Sequence, residues 1–523
     1  MVTSLKGTPD SPCRCCTSTF CKWTRKGGLT RREFISAAGG ATVTGLALSG
    51  LPTAGASRDE GQPRQQPINI PLKVQPVLIY EIFQRRPATS WRPWGGLLTE
   101  QDAAEEKQRI SRELAELESS ADFRLEILPL VTAQGAEEAA AITKGNHDVL
   151  LMYAASGDRE VLEALTAPAK WNLMFLRHRS GPVYLWYEIA HPAYLRRTVD
   201  EYRQPGIEVR DIVVDSYPEI LWRLRALHGL KSTLGKRIVA VGGPGGWGMD
   251  GERAPERARE LWKLDIQTVP YPDLGERIKQ ARKHPALVAR CRDEAERYLK
   301  QEGVSLHTTQ DFVSSAFILR EVFLDLLDAA QTDAITINHC MDTIMPMSET
   351  TACLPLSLLN DAGYLAFCES DFVVIPSGIL LHHISGKPVF LNDPTHPHAG
   401  VVTLAHCTAP RKMDGQRLES AKIMTHFESD YGAAPKVEMQ KGQEITVLDP
   451  DFASRRWLGF AGAIVDNPSL HICRSQIDVE IKGDWSRLLE EMRGFHWMAS
   501  YGNYLREAGY ALKKVGVDWL SLS

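Results

Sequence analysis

Two carboxylates set the chemistry this chain is equipped for. Glu369 stands in the run Gly-Tyr-Leu-Ala-Phe-Cys-Glu-Ser-Asp over 363–371, and Asp393 in Lys-Pro-Val-Phe-Leu-Asn-Asp-Pro-Thr-His-Pro-His over 387–398. Each follows a short apolar segment of strand-like composition. That puts a hard oxygen ligand at a strand end, where α/β folds build their sites. Two carboxylates with one imidazole suit Mn²⁺ or Mg²⁺ better than Zn²⁺ or copper.

Further polar residues surround this pair. His396 and His398 flank Pro397 close to Asp393 and are expected to reach substrate. His406 ends an apolar run over 401–405, so it projects from a strand tip with a substrate-binding role in view. Asp371, two residues after Glu369, fits a helix N-cap as well as it fits a place in the site. His382 and His383 lie in an apolar segment and read as structural. Arg411 and Lys412 are placed to meet an anionic group. In the N-terminal half, Arg85, Arg86, Trp91, Arg92 and Trp94 form an aromatic and basic loop, of which Arg92 and Trp94 are the expected ligand contacts.

The elements that must position these residues read as an α/β protein. Short β-rich runs at 74–83, 124–130, 148–153, 172–177 and 182–188 alternate with Ala- and Glu-rich segments, which argues for a parallel sheet. A second unit starts with the strand into Gly242-Gly-Pro-Gly-Gly-Trp-Gly248. This loop misses the G-x-G-x-x-G register, and Pro244 removes an N–H a phosphate nest would use. It reads instead as a tight turn lining a small-ligand cleft. Helical stretches follow at 252–263, 275–302 and 309–329, then a strand at 333–338. From about 376 the texture becomes mostly antiparallel β, with strands expected at 388–391, 400–406, 422–427, 435–439, 444–448, 461–465 and 470–474 and helices at 485–493 and 501–515. The expected organisation is a first α/β domain over 71–233, a second over 234–375 and a C-terminal β-rich domain over 376–523.

Composition narrows the function classes. Hydrophobic residues make up 43% and charged residues 24% of 523 positions, ordinary for a globular protein. Residues 1–56 carry +5 against a total of −5, which leaves −10 on the rest. A body this acidic is a poor partner for nucleic acid. The basic leader contains Thr30-Arg-Arg-Glu-Phe-Ile35, a Gly/Ala/Thr-rich weakly apolar stretch and Ala54-Gly-Ala56. That order is a twin-arginine signal peptide over 1–56, followed by a linker over 57–70. It implies the twin-arginine translocase as partner and a periplasmic or extracellular location, without stable membrane insertion. Four leader cysteines precede six in the body (Cys291, Cys340, Cys353, Cys368, Cys407 and Cys473), none in a CxxC pair.

These residues resemble the L-fucose isomerase and L-arabinose isomerase superfamily, most strongly from about 335 to 406 and at the C-terminus. The resemblance implies two α/β sandwich domains with parallel sheets and a C-terminal domain with a β-barrel-like core. It implies a metal held by a Glu, an Asp 24 residues later and a His near the chain end. Here those are Glu369, Asp393 and His496, with Mn²⁺ or Mg²⁺ as the cofactor. It further implies aldose–ketose isomerisation of a free sugar through an enediolate, with Glu369 and Asp393 as acid and base. A homo-oligomer with the site at a subunit boundary is implied too. The alternatives are a metal-dependent epimerase or lyase on a carbohydrate, and a non-catalytic sugar-binding protein.

Overall fold

The computed structural model describes residues 64, 66–166, 169–248 and 250–523. Residues 1–56, read as a twin-arginine leader, and residues 57–63 lie outside them. Two parallel sheets and a closed antiparallel barrel organise the rest. The first sheet runs Leu125–Ile127, Leu72–Ile79, Val149–Ala154, Trp171–Leu176, Ile212–Val214, with Val131–Ala133 pairing the second half of Leu72–Ile79. Its centre is the run Val-Leu-Leu-Met-Tyr-Ala, buried throughout. A parallel strand covered by helices on both faces reads as such a continuous apolar run.

The second sheet has the order Leu365–Cys368, Ala334–Ile337, Arg237–Val241, Asp265–Val269, again all parallel. The six-stranded barrel follows the path Glu444–Pro450, Trp497–Tyr501, Phe390–Pro394, Val401–His406, Ser475–Lys482, Arg456–Asp466 and back to Glu444–Pro450. Alternation sorts its side chains. Phe390, Val402, Leu404, Trp497, Ala499 and Tyr501 fill the interior. The intervening Leu391 and Met498 face outward and join the core of the α/β part. Closure leaves these six strands no unpaired edge.

Between the sheets and the barrel runs the helix Ile375–Ser385, whose Ile375, Ile379, Leu380, Leu381 and Ile384 are fully buried. Burying each such side chain contributes roughly 1.5–3 kcal/mol. The helix packs on the first-domain helix Tyr217–Thr233. Gly229 marks the crossing, because a Cβ there would stand 2.4 Å from Ile384 Cγ1. The end of the segment read as a linker is anchored: the Arg64 guanidinium meets Glu321, Asp325 and Asp328, and Ile68 N donates to Asp333.

Two expectations for local structure are corrected. Residues 182–188 hold no strand; Leu185–Ile189 is helical and continues as a π-turn over Ala190–Leu195, with Trp186 and Ala190 buried four apart. Residues 470–474 are irregular, and the barrel strand is Ser475–Lys482, whose Ile477, Val479 and Ile481 alternate inward. The strands expected at 422–427 and 435–439 are present and pair antiparallel, outside the barrel. The strands there, Ala421–Met424 and Ala434–Val437, form a separate three-stranded sheet with Val304–His307. No helix among the described residues is long and apolar enough to cross a membrane.

Candidate metal centre

The carboxyl edge of the second sheet meets the outer face of the barrel at one cluster. Glu369 is the first residue past the strand Leu365–Cys368. It and Ser370 have positive φ, 64° and 46°. Non-glycine residues there cost on the order of 1–3 kcal/mol each and persist only where the surroundings fix them. The glycine-rich loop does so: Gly245 N donates to the Ser370 carbonyl at 3.1 Å, and Phe372 N to the Gly245 carbonyl at 3.1 Å. The expected tight turn thus backs the site.

The barrel supplies the other groups by register. Asn392 pairs with Trp497, so Asp393 and His496 occupy the next rung on the outer face; Asp393 also pairs with Ala405, one residue before His406. His496 Nε2 lies 3.2 Å from Asp393 Oδ1 and 3.5 Å from Glu369 Oε2, and His406 Nε2 lies 3.7 Å from Glu369 Oε1. Asp393, His406 and His496 present ligand atoms all within 4.8 Å of one another, as do Cys368, Glu369 and His406. The His496 ring is fully buried, whereas the Glu369 side chain is 33% exposed. A ligand therefore approaches from the Glu369 side.

Asp371 orients this set. Its Oδ2 accepts from His496 Nδ1 at 2.7 Å, and its Oδ1 accepts from Trp247 N at 3.2 Å and Val373 N at 3.0 Å. The N-cap reading is corrected: Val374 stands at the N-cap of the helix Ile375–Ser385, and Asp371 closes only the turn before it, its carbonyl accepting from Val374 N and Ile375 N. With Nδ1 committed to Asp371, only Nε2 of His496 can face the two carboxylates. His406 is set the same way, its Nδ1 held by Thr408 Oγ1 at 3.0 Å. Trp247, stacked on Phe495, presents its ring edge-on to His496.

The electrostatics follow from this packing. Burial alone would lower the His496 pKa, but Asp371, Asp393 and Glu369 outweigh it and hold the ring well above its usual range. Burial would raise Glu369, yet His406 and His496 keep it well below an ordinary glutamate. A neutral Nε2 facing two carboxylates would bring lone pairs together. The arrangement needs a positive charge at that point, either a proton on the ring or a cation among the four groups. A divalent ion fits: oxygen and imidazole donors converge, and an outer carboxylate fixes the imidazole tautomer, as metal sites require.

Glu369, Asp393, His406 and His496 are therefore brought together. His396 and His398 are not part of the set; they stand exposed in the hairpin connection, and among the described residues neither bonds to the four. Arg92 and Trp94 lie on the exposed first-domain loop, with Trp94 62% exposed and Arg92 over the Trp91 ring, and neither touches the cluster. Arg411 is buried, and its guanidinium bonds to Gln301 and the Glu419 carbonyl. Two residues went unseen in sequence: Trp247, and Cys368 with its sulfur in ligand range. The glycines around Trp247 and the adjacency of Cys368 to Glu369 were the available signals. No family model matches the chain, and no curated protein proves similar to it.

Proposed function

We propose that this protein is a metal-dependent aldose–ketose isomerase acting on a free sugar, exported folded through the twin-arginine pathway. The observation that carries the reading is His496 Nε2, 3.2 and 3.5 Å from two carboxylates while Nδ1 is committed to Asp371. Glu369, Asp393 and His496 would hold Mn²⁺ or Mg²⁺, with His406 in reach. When bound, the ion supplies Lewis acidity that weakens the C–H bond next to a sugar carbonyl.

The remaining work falls to the chain's own groups. Glu369 is the more accessible carboxylate and is ionised at neutral pH, so it can take the C2 proton and return it at C1. Asp393, 13% exposed, is placed to exchange the proton between the two sugar oxygens. Asp371 and the Trp247 ring, set at a steep angle to it, keep the His496 ring fixed while this happens. A homo-oligomer, with Arg92 and Trp94 serving a neighbouring site, and a periplasmic location belong to the same proposal.

The test is elemental analysis of protein folded in the cytoplasm, wild type against Glu369→Ala, followed by aldose C2 proton exchange in deuterated water. About one equivalent of Mn per chain is expected in the wild type and little in the variant. Absence of metal from both proteins after Mn²⁺ soaking would sink the reading. Metal binding and C2 exchange without ketose formation would point to epimerase or lyase chemistry instead.

A further inference from the structure

We propose that Cys368, Glu369 and His406 form a second cation position, taking a thiophilic divalent ion such as Zn²⁺ or Co²⁺ beside the oxygen-rich position of Asp393 and His496. The inference rests on the reading that this cluster holds a cation, but it turns on a donor that reading does not use. The Cys368 sulfur, a Glu369 oxygen and a His406 nitrogen all lie within 4.8 Å of one another. Cys368 is the last residue of its strand and is 6% exposed, so its sulfur is held in place rather than waving in solvent.

Each donor has one direction to offer. His406 Nδ1 is taken by Thr408 Oγ1, which leaves Nε2, and that atom is 3.7 Å from Glu369 Oε1. Nitrogen, oxygen and sulfur from three side chains, with a fourth position open, is a donor set zinc accepts. Thiolate selects Zn²⁺ and Co²⁺ strongly over Mn²⁺ and Mg²⁺, which prefer carboxylate and water. Binding converts the Cys368 thiol to a thiolate and releases its proton to solvent, so charge and protons balance.

Glu369 belongs to both positions, which gives the inference its consequence. An ion that settles on Cys368 and His406 draws Glu369 away from Asp393 and His496. The same cluster therefore has a hard side and a soft side that compete for one carboxylate. A thiophilic ion would act as an inhibitor of the Mn²⁺-loaded site, and the site's metal content would depend on which ions are present as the chain folds.

The experiment titrates Co²⁺ into the metal-stripped full-length protein and follows the thiolate-to-cobalt charge-transfer band in the near ultraviolet. Bound Mn²⁺ is measured separately by electron paramagnetic resonance. The band is expected in the wild type, absent in Cys368→Ser and Cys368→Ala, and retained in Cys473→Ser, whose sulfur approaches Asp393 Oδ2 at 3.9 Å. Mn²⁺ binding is expected to persist in the Cys368 variants and to fall in the wild type as Zn²⁺ is added. Co²⁺ bound without a band, or a band that survives loss of Cys368, overturns the proposal while Mn²⁺ binding leaves the isomerase reading standing. A Cys368-dependent band in a protein that never binds Mn²⁺ upholds the soft site and overturns the isomerase reading.

Discussion

Asp371 Oδ2 meets His496 Nδ1 at 2.7 Å, and this one contact decides which imidazole nitrogen faces the centre. In Asp371→Asn the side-chain oxygen keeps the Trp247 and Val373 amides, so the NH₂ turns toward Nδ1. The ring then moves its proton to Nε2, where the cation belongs. Mn²⁺ affinity is expected to fall roughly 10–100-fold, the usual cost of losing an orienting outer carboxylate. Isothermal titration reads this directly, and an unchanged affinity would show that Asp371 only caps the following turn. The same residues fix a proton count. Because the ring pKa is held well above its usual range in the metal-free protein, Mn²⁺ bound as proposed would have to displace a proton even at neutral pH. Titration in buffers of different ionisation enthalpy should report about one proton released per ion near pH 7, with affinity weakening as pH falls. Release of no proton would mean the ring enters the complex already neutral.

Elements decide which residues can meet, and here the sequence was unevenly legible. Glu369 and Asp393 were visible because each follows a compact apolar run, and their 24-residue separation spans one helix and one strand entry. The parallel sheets were visible for the same reason: buried strands are continuous apolar blocks. Phe-His-Trp-Met-Ala-Ser-Tyr over 495–501 did not read as a strand, since it is short and aromatic residues suit strand or helix. Yet this strand carries His496 onto the rung beside Asp393. The 470–474 expectation failed because Leu-His-Ile-Cys looks apolar, while the true strand alternates Ile, Val and Ile with Asp and Glu. Asp371 and Trp247 meet across 124 residues, a separation no local pattern reports. The helix Ile375–Ser385 also sits where it does because Gly229 lets Tyr217–Thr233 approach it. Gly229→Ala is expected to destabilise by about 1–3 kcal/mol through overpacking against Ile384. Scanning calorimetry at fixed rate would read a lowered midpoint; a raised one would mean that Ile384 yields and helix propensity dominates.

At the scale of the whole molecule, the joint between the first domain, the second sheet and the barrel is lined with histidines. His228 comes from the helix Tyr217–Thr233, and His382 and His383 from Ile375–Ser385; the Lys236–Asp333 ion pair, 2.6 Å long, belongs to the second unit. Burial lowers all three rings, reinforced by Lys236 at His382 and His383 and by Lys231 and Arg225 at His228; His382 falls to about 4 and His383 well below its usual range. The sign follows from linkage. A base with a depressed folded pKa stays neutral in the fold but protonates in the unfolded chain from about pH 6.5 downward. Its stabilising contribution is therefore complete above pH 6.5 and lost as pH falls toward 4. Buried Asp361, raised to about 6, works in the opposite direction over much of the same window. A comparison of slopes removes it, because Asp361 is unchanged in a His383→Gln variant. Between pH 7 and 5 the wild-type thermal midpoint should drop more steeply than that of His383→Gln, even if the variant starts lower. Parallel slopes would mean that His383 takes up its proton in the fold as readily as in the unfolded chain, and would overturn the linkage argument.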